Sequence, residues 1–495
     1  MAVSMGSDYI AALTERGGLC MFCDSQGDEG ADYSAPVLLG GVGYAAGDEL
    51  HNVAGGTYAS DLVLGLDPGG QMPDLTQART KPHTFNNERI VMVSAGDTHT
   101  CCVTDSGVVW AWGSNASGEL GLGDTKRQHA PVAWHTDTCA GSPAVMVACG
   151  DMHTLVLTRD KRVWSCGKGL YGQNGQPHTK AVLTPARVAG LDSIVMVAAA
   201  QKHCMAVGED GRVWTWGLGG RNLLGFDAPQ NTQYHTPTCL GVDAFGGSAV
   251  ELVAAGCFHS AAVTVEGELW VWGEGTCGIL GLGDSRPRLT PTLVQGGLRA
   301  DWDGARVRLV ACSDQHSIVL TSDGAVWTFG DGIGSTMGHH HVENVMVPTR
   351  IAQTAFGGAD IVTVAAYGNA SAAVTADGLL YCWGAGNLGN GPAYAYALQP
   401  TPVAASLAPG LRVGRGCAMP RAAAVAVCMG MLATAPAKGA TTRARAHAAH
   451  KSTDSIIALL PDEVVQVVAM KYAELSGHTS SWARGSCACW PCARA

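Results

Sequence analysis

Short apolar runs alternate with turn residues along this chain, and from Ile90 they recur in a fixed order. Each unit opens with a run of alternating larger and smaller apolar positions, the period-two pattern of a strand. These runs lead into Gly96 and recur at 145–149, 194–198, 250–254, 307–311 and 361–365. A turn carrying His99, His153, His203, His259 or His316 comes next in five of the six units. Second runs then follow, ending at Thr104 in the first unit and spanning 154–158, 205–207, 261–264, 317–321 and 372–375 in the others. Tight turns such as Asp105-Ser106-Gly107 and Ser322-Asp323-Gly324 are hairpin signals leading into a third run. That run ends in a Trp-x-Trp-Gly mark or a close variant, with its glycine at 113, 167, 217, 273, 330 and 384. Trp112, Trp216, Trp272 and Trp383 stand just before Gly113, Gly217, Gly273 and Gly384. Pro131, Pro185, Pro237, Pro291, Pro348 and Pro402 are expected to open a last, outer strand, where a missing ladder N–H is tolerated.

The marks are spaced 54, 50, 56, 57 and 54 residues apart, a period that implies a propeller, solenoid or array. Four strands per unit select the propeller. Residues 3–23 match 93–113 without a gap, so a degenerate first copy opens the chain, with Cys20, Phe22 and Cys23 where Trp110, Trp112 and Gly113 stand later. Residues 24–89 are an insertion expected to hold the outer part of that blade and a long surface loop. Residues 411–427 read as a first and second strand without a third. Seven blades are expected, with eight as the alternative if the leftover pair forms its own. The fold expected is therefore all-β, a seven-bladed β-propeller of four-stranded blades over 1–427. A linker at 428–453 and a short α-helical segment within 454–495 would follow.

Composition changes this picture little. Glycine is abundant, with 66 in 495 residues, and falls at repeat turns rather than in a Gly-X-Y period. Most of the eighteen cysteines lie inside expected strands, where a free thiol acts as a small hydrophobe. Free thiols and the absence of a leader-like start point to an intracellular protein, cytoplasmic or nuclear. No run is long and apolar enough for a membrane helix. The net charge of −10 is uneven: 435–495 hold seven Lys/Arg and four Asp/Glu, which leaves −13 on the remainder. An acidic ring argues against naked DNA as a partner and favours proteins, basic ones among them.

The joined marks Gly-x-x-His, an Asp-Gly turn, Trp-x-Trp-Gly and Gly-x-Leu-Gly-Leu-Gly-Asp, the last two complete at Trp110–Gly113 with Gly118–Asp124 and at Trp270–Gly273 with Gly278–Asp284, resemble the regulator of chromosome condensation repeat. The resemblance covers about residues 1–427. It implies a seven-bladed propeller and admits several functions: exchange factors for the Ran GTPase on chromatin, a plant UV-B photoreceptor, and propellers attached to ubiquitin ligases. The photoreceptor's Gly-Trp-Arg-His-Thr motif is absent; Gly96-Asp97-Thr98-His99-Thr100 and Gly256-Cys257-Phe258-His259 stand in its place.

The candidate sites read mostly as structure. One histidine per unit suggests a buried turn residue rather than a metal ring, because equivalent positions lie too far apart to share an ion. The glycine-rich loops lack the Lys-Ser/Thr of a phosphate cradle. The run His339-His340-His341 with Glu343 could bind metal but sits in an inter-strand loop. No nucleophile, base and orienting group assemble from a motif, so no cofactor and no catalytic residue are assigned. In the tail, Leu460, Pro461, Val464, Val465 and Val468 form an apolar pattern resembling the opening helix of an F-box, with Cys487-Ala488-Cys489-Trp490 as its later mark. That resemblance implies a Skp-type adaptor of a cullin ubiquitin ligase as partner. The function expected is a non-enzymatic protein-interaction scaffold. The alternatives are exchange factor for a small Ran-like GTPase, with histones as further partners, and substrate adaptor of a ubiquitin ligase.

Overall fold

In the computed structural model, residues 3–5, 9–13, 19–23, 37–38, 85–86, 88–229, 232–294, 302–385, 388 and 396–403 are described. Their strands form four-stranded antiparallel sheets, each built from consecutive strands in chain order. Six sheets carry the full repeat and are labelled here blades A (90–133), B (144–187), C (194–240), D (250–293), E (307–350) and F (361–402). In blade A the strands are Ile90–Ala95, His99–Thr104, Val109–Gly113 and Gln128–Ala133. Second strands are buried along their whole length, because both faces are covered by neighbouring blades. Outer strands are largely half-buried or exposed.

A smaller four-stranded sheet comes from the degenerate copy: Val3–Met5, Tyr9–Leu13, Leu19–Cys23 and Val37–Leu38. Seven full copies were expected; the structure has six full blades and this reduced sheet. The physical reason is visible in its sequence. It lacks the Trp-Gly mark, and among the described residues its outer strand is Val37–Leu38 alone. The sheet lies between blades F and A. Val3 and Met5 pack in one core with Ala365, Ala372 and Val374 of blade F. Ala11, Leu13 and Leu19 pack with Ile90, Val93 and Trp112 of blade A. The Ala95 N–H donates to Ser4 Oγ at 2.9 Å, and the Cys149 N–H of blade B donates to Ser94 Oγ, also at 2.9 Å. First strands thus stand side by side around a common axis.

Two further expectations change. The histidines begin the second strands instead of sitting in the turns before them. His99, His153, His203, His259 and His316 pair directly with Gly113, Gly167, Gly217, Gly273 and Gly330. The prolines lie inside the outer strands rather than ahead of them, where an edge leaves their nitrogen without a ladder partner. The described residues contain short 3-10 turns but no α-helix. The expected helical tail, with Leu460, Pro461, Val464, Val465 and Val468, and the strand pair at 411–427 lie outside the described residues.

Candidate functional site

The repeat marks meet at the seams between blades. His203 Nε2 of blade C lies 2.8 Å from Ser260 Oγ of blade D. That hydroxyl donates to the Leu223 carbonyl of the glycine-rich loop of blade C at 2.9 Å. The Trp272 indole of blade D donates to the same carbonyl at 2.8 Å. Because the hydroxyl spends its proton on the carbonyl, the imidazole nitrogen must be the donor to it. The arrangement recurs. His259 meets Ser317, which donates to Ile279 O; His316 meets Ser371, which donates to Thr336 O, where the Trp383 indole also donates. His153 meets the Cys204 thiol, which donates to Gln173 O, and the Trp216 indole joins there at 3.0 Å. His99 meets Thr154, which donates to Glu119 O.

Burial holds four of these imidazoles neutral. It depresses His153, His203 and His316 to about 3 and His259 to about 4. The nearest neighbouring histidine adds to the effect at the first three. His99 differs. Burial again opposes its charge, but the charge and hydrogen bond of the Cys149 thiolate beside it raise its pKa above the ordinary value.

The glycine of each mark is explained by the histidine opposite. Gly113 has φ +106°, and a Cβ there would stand 2.5 Å from Thr98 O and 2.7 Å from His99 Cα. The backbone approach that lets His99 begin its strand therefore excludes any larger residue.

The His turns place a second set of side chains at one end of the ring. The residues linking first and second strands include Asp97, Asp151, Gln201, Lys202, Cys257, Phe258 and Asp314, and Tyr367 ends the first strand of blade F. Asp97 and Asp151 share a hydrogen bond, and the Tyr367 phenol of blade F donates to Asp97 of blade A at 3.0 Å. Burial, with the hydrogen bond and charge of Asp97, pushes Asp151 up to about 6. Burial and the Asp97 charge also raise Asp314 and, with the hydrogen bond, move the Tyr367 phenol well above its ordinary range. Carboxyl groups from blades A, B and E thus converge near the axis.

Outside them lies a rim of cations and large side chains. Lys168 and Lys202 approach the Tyr171 ring at 5.8 and 5.3 Å. Arg221 stacks over Phe258 at 4.4 Å and pairs with Glu274 at 3.0 Å. Leu170 and Ile333 project from the neighbouring loops, 49% and 69% exposed. Arginine and aromatic side chains are enriched at protein interfaces.

The tryptophans Trp112, Trp216, Trp272 and Trp383 are fully buried at the seams. In the run His339–His341, His339 Nε2 bonds Thr328 Oγ1 at 2.9 Å and the His341 ring stacks on His339. Among the described residues, the three-donor group with metal-ligating chemistry is instead His99, Cys101 and Cys149. Sequence reasoning also missed an aromatic plug. Phe85 stacks edge-on to Trp110, Phe245 to Trp270, Trp302 to Trp327 and Phe356 to Tyr381. Each stands five residues before its first strand, at Ile90, Val250, Val307 and Ile361. That spacing was the available signal, and it places Phe85 in blade packing although it falls within the 24–89 insertion.

Repeated four-stranded blades, joined at five seams by a buried histidine and at three of these also by an indole, define a β-propeller. The repeat described as "Regulator of chromosome condensation (RCC1) repeat" matches residues 106–157, 160–207, 210–263 and 266–320, and a second form of it matches 90–119, 145–173, 250–279 and 361–390. The chain belongs to the regulator of chromosome condensation repeat family. It is 31% identical to the Arabidopsis thaliana ultraviolet-B receptor UVR8 over 60% of this chain and 65% of that protein. It is 31% identical to the mitochondrial RCC1 domain-containing protein RUG3 of the same plant over 66% of this chain and 72% of that one. The chain spans just under two thirds of the receptor's length and only 26% of another relative, the mouse kinase Nek9.

Prp20p of Saccharomyces cerevisiae, solved in a study of its binding to Gsp1p and histones, shares the fold with a TM-score of 0.56 at 22% identity, over 74% of this chain and 80% of that one. The matched repeats end at residue 390, so the F-box resemblance of the tail gains no support from them. No helix among the described residues is long and apolar enough to cross a membrane.

Proposed function

We propose that this chain is a non-enzymatic protein-recognition propeller, and that the end carrying the His turns docks its partner. The observation that carries this reading is the convergence of Asp97, Asp151 and Asp314 inside a rim of Lys168, Lys202, Arg221, Tyr171 and Phe258. A carboxylate centre suits a basic segment of a partner, and the stacked rim supplies large, partly ordered contact groups. In this proposal the reduced 3–38 sheet serves as the seventh blade that closes the ring, with its edge covered on both sides.

Exchange activity on a small GTPase is the second reading, favoured by the fold shared with Prp20p, whose study concerned Gsp1p and histones. It requires only a complementary surface and a wedge, not a nucleophile. A ubiquitin-ligase adaptor role rests on the sequence of the 454–495 tail alone.

The test is affinity capture with mass spectrometry from cells expressing the full chain, residues 1–430, or the full chain with Lys202→Glu and Arg221→Glu. Partners retained by 1–430 and lost with the charge reversals support docking at this end. Partners indifferent to the reversals overturn that placement. Faster GDP release from a captured GTPase would favour exchange, and Skp or cullin subunits captured only by the full chain would favour the adaptor reading.

A further inference from the structure

The seam between blades A and B departs from the others in one respect. At the second residue after the histidine, blades B to E carry Leu155, Met205, Ala261 and Ile318, and blade F carries Ala372 at the matching position; blade A carries Cys101. On the first strand, opposite the second residue of the second strand, blades A, C, D and F carry Ala95, Ala199, Ala255 and Ala366, whereas blade B carries Cys149. Both substitutions face the same seam. One ring nitrogen of His99 and the sulfurs of Cys101 and Cys149 lie within 4.8 Å of one another, and all three residues are buried. Blade E has a cysteine at the first-strand position, Cys312, but the facing seam offers Ala261 where Cys101 would stand, so no second thiol meets it there.

We propose that His99, Cys101 and Cys149 form a site for a thiophilic closed-shell cation, Zn(II) or Cu(I), that pins blade A to blade B. Two thiolates and one imidazole are soft donors of the type these ions select. Zinc bonds of about 2.3 Å to sulfur and about 2.0–2.1 Å to nitrogen place ligand atoms at separations close to those already present. Two thiolates and a neutral imidazole around a divalent ion carry no net charge, which suits a site removed from water. The Thr154 hydroxyl, 2.9 Å from His99 Nε2 and 3.9 Å from Cys101 Sγ, orients the imidazole in the manner of an outer-sphere partner. Ligation needs both sulfurs as thiolates and His99 as neutral imidazole, so protons leave for solvent and binding strengthens with rising pH.

The test is metal analysis of the full chain, expressed with zinc and copper supplied, washed with chelator and then denatured. About one zinc or one copper ion per chain is expected, the two being told apart by mass. The variant Cys101→Ala/Cys149→Ala, which installs residues other blades use at these positions, should lose the ion. Cys312→Ala should keep it. Cobalt(II) added to the metal-free full chain should give thiolate charge-transfer absorption that the double variant lacks. Should the double variant fail to fold, Cys149→Ala alone carries the comparison. A metal-free wild-type chain, equal metal content in wild type and variant, or a Cys101–Cys149 disulfide in the non-reduced protein would overturn the proposal.

Discussion

Acid should loosen this ring, and the seam histidines set where. His153, His203 and His316 are held at about 3 and His259 at about 4 by burial, whereas an unfolded histidine titrates near 6.5. Between those limits the unfolded chain binds more protons than the folded one. Stability therefore rises with pH through this window, is fully present above about pH 6.5, and is lost as pH falls toward the folded values. Moving from about pH 7.5 to about pH 5 removes about 2 kcal/mol per histidine, or roughly 8 kcal/mol for four independent sites. That is comparable with the 5–15 kcal/mol typical of a whole domain. His99 and Asp151, whose folded pKa values are raised, titrate with the opposite sign and return part of the loss. Urea unfolding followed by tryptophan fluorescence at the two pH values measures the effect. His203→Gln keeps an N–H donor for Ser260 but cannot titrate, so its pH dependence should shrink by about 2 kcal/mol. A denaturation midpoint that does not move between the two pH values would refute the reasoning, since it would mean the buried imidazoles are not held neutral.

Three further outcomes follow from the seams. Ser260→Ala should cost about 1–3 kcal/mol, because it strands the His203 donor, and combining it with Trp272→Phe should cost more than the sum, because Leu223 O then loses both donors; urea midpoints of the three variants check this. Gly113→Ala should destabilise by more than about 3 kcal/mol through its positive φ and the clash with Thr98 O, whereas Gly247→Ala, with φ +88° but no atom within 4 Å, should cost about 1–2 kcal/mol by thermal unfolding. Tyr367→Phe removes the hydrogen bond from blade F to Asp97 of blade A and should lower stability by about 1–3 kcal/mol, with hydrogen exchange rising at both blades rather than in blades C and D.

The sequence by itself determined the repeat, its strands and its marks, because each is a local matter. Alternation fixes a strand, Asp-Gly fixes a hairpin, and a period near 54 residues requires one blade per unit. It could even pair His99 with Gly113 statistically, since both recur together, although the reason for the pairing is a backbone approach that only the folded blade shows. The tertiary structure decided what each mark touches. The partner of His203 is Ser260, 57 residues away, and only the stacking of blades brings them together. The same holds for Asp97 and Tyr367, 270 residues apart, and for Cys101 and Cys149, which looked like interchangeable small hydrophobes until one seam set them face to face beside His99. The degenerate first copy was legible as a strand set, but that its first strand stands between blades F and A follows from core packing of Val3 and Met5, not from any residue pattern. Within a blade, neighbours in sequence are neighbours in space; between blades, the seam contacts join residues from 31 to 270 positions apart, and their chemistry emerges only when the ring is assembled.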